Sequence, residues 1–166
     1  MMADAIRTLF EYQIMEDRRL WDGAIMALPE TAFKIDTAYS WGTMQRECTH
    51  VVDEMHASLE RLHGIKTATV AVTMEDPTRE QVRATWDRVE AQWMAYMAEL
   101  DDARFQQQID IVYRDTAMTT PVWQTIFHVF NHNTLHRAEM RQMIAVIGGR
   151  AEVDRSFGAR CLANSG

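Results

Sequence analysis

The amino-acid sequence predicts an all-α protein, a four-helix bundle whose helices are joined by a few connections. Its 166 residues include only 7 Gly and 3 Pro, which are few for a protein built from many turns. Apolar residues make up 47% and charged residues 25%, as in ordinary globular domains. Apolar side chains also recur at three- and four-residue spacing, which is typical of helices with one buried face.

The first two predicted helices are bounded by residues that stop or cap a helix. The first covers residues 3–28 and ends before Pro29, because proline cannot continue the backbone hydrogen bonds of a helix. The second covers residues 41–63, with Ser40 as its predicted N-cap and Gly64 as its left-handed stop.

The last two predicted helices each begin with a cap residue followed by proline. The third begins at Asp76-Pro77 and continues to about Leu100. It has more apolar and aromatic residues than one buried face needs, which favours self-association, and the alternative is a broad stripe that faces the core. The fourth covers residues 120–147 and ends at Gly148.

The segment between the third and fourth helices has a different periodicity. Ile109, Ile111 and Tyr113 alternate with polar residues, which predicts one or two short strands. The sequence therefore predicts one bundle domain over residues 1–149, followed by a polar C-terminal tail over residues 150–166.

Charge and composition exclude several classes of protein. A formal net charge of -7, without any run of Lys or Arg, argues against binding to nucleic acid, which requires a basic surface. Apolar stretches are short and interrupted by charge, so no membrane span is expected. No signal peptide is recognised, and Cys48 and Cys161 lie far apart in the chain, so we expect a cytoplasmic protein without a disulfide.

Three histidines of the fourth predicted helix form the first candidate site. His128, His132 and His136 are spaced four residues apart in FHVFNHNTLH, so they project from one side of the helix. On a helical wheel His136 lies within the apolar stripe, His132 at its edge and His128 furthest from it. Two histidines at this spacing can bind one metal ion, provided that another helix supplies a further ligand. The alternative is that they are ordinary core or surface histidines.

His50 of the second predicted helix is the candidate for that further ligand. On the wheel it lies beside the main apolar stripe, on the same side as Glu47 and Glu54. This position is compatible with a groove between two helices, and equally with a side chain that faces water. The residues alone leave both interpretations open.

Three segments resemble those of DinB-like (YfiT-like) four-helix-bundle metalloproteins, over nearly the whole chain. They are LFEYQIMEDRRLWDGAIMALPETAF, GTMQRECTHVV and HVFNHNTLHRAEM. The resemblance implies an up-down-down-up bundle that is often a homodimer. It also implies one divalent ion (Zn, Ni, Fe or Mn) bound by His50, His132 and His136, with His128 outside the coordination shell.

One position departs from the family pattern. Where the family often has His-Arg-Gly-Gln, this chain has His136-Arg137-Ala138-Glu139. Glu139 shares a helix side with His132 and His136, so it can accept a hydrogen bond from a ligand ring and is a candidate catalytic residue. The alternative is a solvated carboxylate.

The resemblance also implies the chemistry. Three histidines leave a coordination position open, and members of the superfamily use such a metal to activate a low-molecular-weight thiol. We therefore expect thiol transfer or isomerisation acting on a small-molecule substrate, in a site with apolar walls from Trp41, Met44 and Phe130. The alternatives are a non-catalytic metal-binding stress-response protein and a metal-dependent hydrolase with Glu139 or Glu54 as base.

Overall fold

A computed structural model of the chain describes residues 2–66, 68–113 and 115–152, and it is mostly helical. The predicted all-α class and the predicted short strands between the last two long helices are confirmed. None of the described helices combines the length and the hydropathy that crossing a bilayer requires. The helices are α1 (Met2–Leu20), α2 (Glu30–Phe33), α3 (Met44–Leu62), α4 (Arg79–Glu99), α5 (Asp102–Gln106) and α6 (Val122–Val146).

The first predicted helix is not continuous to residue 28. α1 ends at Leu20 and is followed by one turn of π-helix over Trp21–Ile25, in which the Met26 amide donates to the Trp21 carbonyl at 2.8 Å. Gly23 lies within this wider turn and has a low helix propensity. Trp21 and its apolar neighbours stay buried, so the apolar face continues although the backbone geometry changes.

α3 begins later than predicted, and Ser40 is not its N-cap. Thr43 caps the helix, because its side chain accepts a hydrogen bond from the Arg46 amide at 3.1 Å. Ser40 has a φ of 50°, in the left-handed region, and precedes Gly42 with a φ of 85°. The predicted stop is confirmed, since Gly64 has a φ of 84° just after the helix ends.

α4 also begins a few residues after the predicted start at Asp76-Pro77. Thr78 is its N-cap: the Thr78 side chain accepts from the Gln81 amide, and the Gln81 side-chain oxygen accepts from the Thr78 amide, which completes a capping box. The two reciprocal hydrogen bonds satisfy two backbone amides at the start of the helix. A start at Asp76-Pro77 provides a single side-chain cap. The capping box therefore sets the boundary.

The two strands form an antiparallel hairpin that leads directly into α6. β1 (Gln108–Tyr113) pairs with β2 (Thr116–Pro121) so that Ile111 lies opposite Met118. Ile109 and Ile111 are buried, as their alternation predicted. Because Pro121 ends β2, α6 begins at Val122, and it ends before Gly148, whose φ is 80°.

The long helices share one apolar core. α3 packs against α6 and α4, and α1 packs against α6 and α4. Trp86 and Trp93 of α4 are 1% and 0% exposed. These two tryptophans therefore fill the core of the chain itself, which is the broad core stripe that the sequence allowed, and they offer no exposed surface to a second copy. Self-association stays a prediction.

The free thiol in the described part of the chain is a core side chain. Cys48 is buried, and its Sγ lies 4.0 Å from Met140 Sδ. Burial raises the pKa of this thiol well above its usual value, so Cys48 is a poor nucleophile. Of the predicted tail, residues 150–152 are described, and residues 153–166, including Cys161, lie outside the described residues.

A buried ion pair joins α1 to α6 close to the candidate histidines. Arg137 is 1% exposed and donates from Nη1 to Asp17 Oδ1 at 2.7 Å. The other carboxylate oxygen of Asp17 accepts from Asn133 Nδ2 at 3.1 Å. Arg137, which follows the last candidate metal ligand in the chain, thus fixes α6 against α1.

Candidate metal centre

Three imidazole rings meet where α3 packs against α6. His50 Nε2 lies 2.9 Å from His132 Nε2. The centroid of the His50 ring lies 4.8 Å from that of His132 and 4.8 Å from that of His136. The centroids of the His132 and His136 rings are 4.2 Å apart. If each histidine offers one ring nitrogen as a ligand atom, the three nitrogens all lie within 4.8 Å of one another. The three side chains therefore form a group that can hold one metal ion.

The helix packing explains why these three rings converge. His132 and His136 are one turn apart on α6, so both project from the same side of that helix. His50 projects from α3, which packs against α6, and its ring lies against theirs. The alternative in which His50 faces water is excluded, because the packing turns it towards α6.

Two carboxylates hold the ring of His136. Its Nδ1 lies 2.6 Å from Glu47 Oε1 and 2.7 Å from Glu139 Oε2. With Nδ1 engaged by carboxylates, Nε2 is the nitrogen that remains to bind an ion. Carboxylates in this position commonly fix the orientation of a metal-binding histidine and raise its basicity.

Glu47 is the residue that the sequence analysis failed to single out. It is 0% exposed, although glutamate is rarely buried without a partner. Its place three residues before His50 was visible in the sequence, but its contact is with His136 on another helix. Glu47 lies between Met44 and Cys48, in the apolar stripe that α3 buries. A carboxylate at such a position is the sequence signal that could have identified it as a site residue.

Glu139 occupies the place that its position on the helical wheel suggested. Besides its contact with His136, its Oε2 accepts a hydrogen bond from Ser40 Oγ at 2.9 Å. The left-handed backbone at Ser40 thus brings the connection between α2 and α3 to the site. A catalytic role for Glu139 stays a prediction.

The pKa values of the three histidines differ in direction. Burial and the neighbouring charges of His136 and His50 lower the pKa of His132 to about 4. Burial and the charge of His136 also lower the pKa of His50. For His136 burial acts in the same direction, but the hydrogen bond and charge of Glu47, together with Glu139, raise the pKa above its usual value. His50 and His132 are therefore neutral near pH 7, which is the form that binds metal.

The donor set fits a divalent ion. His132 Nε2 and His50 Nε2 face each other at 2.9 Å, and an ion accepts the lone pairs of both nitrogens. Imidazole nitrogen is a good ligand for Zn, Ni and Fe, and the two carboxylates at His136 supply negative charge behind the ligands. Glu47, His136 and Glu139 form a second group of ligand atoms, which shares His136 with the first.

Trp41 and Phe130, two of the residues expected to line the site, have different positions. The Trp41 ring stacks on His50 with centroids 4.2 Å apart and planes 26° apart, and it is 48% exposed. Phe130 packs in the core against Phe10 and Phe127. Trp41 therefore covers the outer face of a candidate ligand, and the expectation for Phe130 is wrong.

His128 lies outside the group of three. Its Nε2 is 3.1 Å from Glu54 Oε1, and the same oxygen accepts from Ser58 Oγ and from Arg61 Nη1. Burial raises the pKa of Glu54, but the hydrogen bond with His128 and the charge of Arg61 outweigh it and lower the pKa to about 2. Such a carboxylate accepts protons weakly, so Glu54 is a poor candidate for a general base.

The lowered pKa of Glu54 predicts a pH-dependent contribution to stability. A carboxyl group whose pKa is lower in the folded state stabilises the protein above its ordinary pKa of 4.5, and this stabilisation disappears as the pH falls towards 2. We expect Glu54→Gln to lower the free energy of unfolding by about 1–3 kcal/mol near neutral pH.

Urea unfolding of metal-free protein between pH 7 and pH 3 measures this contribution. The difference between the wild type and Glu54→Gln is expected to shrink as the solution is acidified. The exposed Glu99 offers a control, since Glu99→Gln is expected to leave both stability and pH profile unchanged. A Glu54→Gln effect that is the same at every pH contradicts the prediction.

Comparison with known proteins agrees with this arrangement. A family model described as the DinB family matches residues 2–154, which include all three histidines and both carboxylates. A comparison with curated proteins found no match.

Proposed function

Because the chain belongs to the DinB family, we propose that it binds one divalent metal ion through His50, His132 and His136 and uses it to activate a low-molecular-weight thiol. The observation that carries the proposal is the convergence of three imidazoles from two helices. Among the described residues this group contains three side chains, fewer than the four of a closed tetrahedral site. An exogenous ligand can therefore complete the coordination shell.

The residues around the histidines have separate tasks in this proposal. A divalent ion held by neutral imidazoles favours the thiolate form of a bound thiol near neutral pH. Glu47 and Glu139 hold the ring of His136 in place through Nδ1. Glu47 is fully buried, whereas the side chain of Glu139 is 20% exposed, so we assign the proton-handling role to Glu139.

The test of the proposed function is spectroscopic and uses cobalt-substituted protein. We expect 2-mercaptoethanol to produce a sulfur-to-cobalt charge-transfer band, because the thiolate occupies the open coordination position. Glu139→Gln is expected to keep the band while slowing conjugation of the thiol to 1-chloro-2,4-dinitrobenzene by about 10²-fold or more.

Two outcomes contradict this proposal in different ways. Cobalt that binds stoichiometrically but shows no change with thiol indicates a structural metal, the non-catalytic alternative. Equal conjugation rates for Glu139→Gln and the wild type remove the role assigned to Glu139. The Glu99→Gln variant is again the control for loss of a carboxylate.

Three further expectations remain proposals. From the resemblance, we propose that the long helices follow the up-down-down-up order of a four-helix bundle and that the protein is a homodimer. From the sequence features described above, we propose that it is cytoplasmic. Exposed apolar side chains that a second copy can cover occur on α6, at Leu135 and Val146.

A further inference from the structure

A groove of about 450 Å³ borders the candidate metal centre on its outer side. Trp41 and His50 line it, together with other residues of α3 and with residues 74–77, which precede α4. Since His50 also belongs to the group of three histidines, the groove and the candidate metal site share a wall. Its volume suits a small molecule that extends outwards from the metal.

Hydrogen bonds fix the walls of this groove. Asp53 Oδ1 accepts from the amides of Ala71 and Val72 at 2.8 and 3.0 Å, which holds the segment before α4 against α3. Asp76 accepts from Lys34 Nζ at 2.8 Å and from Gln45 Nε2 at 2.7 Å. These contacts tie three segments of the chain together, so the groove is present before any ligand binds.

Two charged side chains of opposite sign line the same groove without an ion-pair partner. Within the described residues, neither the Arg46 guanidinium nor the Glu75 carboxylate has a partner within 4.0 Å, and the two do not pair with each other. Asp53 adds a negative charge on the wall, since its partners are backbone amides. The groove therefore presents one available cation and a more acidic region.

Apolar surface lines the same groove as these charges. Trp41 and Met74 are 48% and 38% exposed, and both line the groove. The methylene groups of a small ligand can pack against them while its charged groups reach the groove's own charges. A ligand that carries only an apolar tail leaves Arg46 and Glu75 without partners.

We infer that this groove recognises a zwitterion: the carboxylate of the ligand pairs with Arg46, and its ammonium group lies near Glu75 and Asp53. The inference rests on the proposed function, because the thiol of the same molecule is directed towards the ion beside His50. The predicted ligand class is an amino-acid thiol, with cysteine as the smallest member.

Four small thiols with different charged groups test the inference by calorimetry on zinc-loaded protein. L-cysteine has both charged groups, cysteamine lacks the carboxylate, 3-mercaptopropionate lacks the ammonium group, and 2-mercaptoethanol lacks both. We expect cysteine to bind about fivefold tighter than either singly charged thiol, since each partly exposed charge pair contributes modestly.

Two variants identify the side chains responsible. Arg46→Gln is expected to abolish the difference between cysteine and cysteamine, and Glu75→Gln the difference between cysteine and 3-mercaptopropionate. Both residues are exposed, so both variants are expected to fold, and Glu99→Gln is the control. Equal affinities for the four thiols overturn the inference. A preference for cysteine that survives both substitutions also overturns it, because chelation of the metal by the amino group explains that result.

The cobalt spectrum separates this inference from the proposed function. Discrimination between charged ligands without a charge-transfer band removes the thiol-activation proposal and leaves the zwitterion groove supported. A charge-transfer band without any difference in affinity among the four thiols removes the zwitterion groove and leaves the thiol-activation proposal supported. If S-methyl-L-cysteine and the four thiols all fail to bind, both proposals are wrong.

Discussion

Replacing His132 with alanine is expected to remove nearly all bound metal from the purified, untagged protein. The wild type is expected to retain about one equivalent of a divalent ion per chain, because three imidazoles from α3 and α6 converge where they can hold one. His50→Ala and His136→Ala are expected to have the same effect. His128→Ala is expected to keep the metal, because its ring faces Glu54 outside the group.

Elemental analysis after dialysis gives the stoichiometry, and thermal unfolding with and without added zinc controls for folding. An ion at about 1,000 times its dissociation constant adds roughly 4 kcal/mol of stability, so a stabilising effect of zinc should disappear in the three variants. Equal metal loss in His128→Ala, or none in His50→Ala, disproves the ligand assignment.

Glu47→Gln tests whether the carboxylate that contacts His136 strengthens metal binding. The substitution keeps the volume of the side chain but removes the charge 2.6 Å from His136 Nδ1. Loss of such a partner usually weakens metal binding by about 10- to 100-fold, so a measurable affinity should remain. This intermediate effect distinguishes a positioning residue from a ligand.

Replacing Asp17 with alanine is expected to cost about 3–5 kcal/mol of unfolding free energy, the largest stability effect that we predict. The variant removes the Asp17 carboxylate that the buried Arg137 guanidinium contacts, and it deprives Asn133 of an acceptor. An uncompensated charge in the core is far more costly than the lost hydrogen bonds alone.

Urea unfolding of the variants, with a double-mutant cycle, measures this cost. Asp17→Ala combined with Arg137→Met is expected to be less destabilising than Asp17→Ala alone, because the buried positive charge has been removed together with the negative charge that offsets it. The surface pair of Asp22 and Arg83 provides the control, and Asp22→Ala is expected to cost about 0–1 kcal/mol. If the two aspartate variants have equal effects, the buried pair is not a stabilising link between α1 and α6.

Local rules predicted most of the helical structure from the sequence. The spacing of apolar residues predicted the long helices, and the left-handed glycines Gly64 and Gly148 marked two of their ends. The alternation of Ile109 and Ile111 predicted the hairpin. These features depend on neighbours within a few residues, and such information is present in any short stretch of sequence.

Boundaries were less predictable, because several local signals compete at each one. Asp76-Pro77 and Thr78 both resemble helix starts, and the reciprocal bonds between Thr78 and Gln81 decide between them. α1 gives way to a π-turn at Trp21, where the apolar spacing alone indicates an uninterrupted helix.

The sequence by itself determined that His132 and His136 share one side of a helix, since their four-residue spacing fixes that relation. Only the tertiary structure decided that His50 faces them, that Glu47 contacts His136, and that Trp41 covers His50. The relation between two helices depends on the rotation and translation with which they pack, and the whole core sets both. A wheel drawn for one helix contains neither quantity, so residue spacing left the position of His50 open. The family resemblance implied that His50 is a ligand, and the packing of α3 against α6 gives the physical reason.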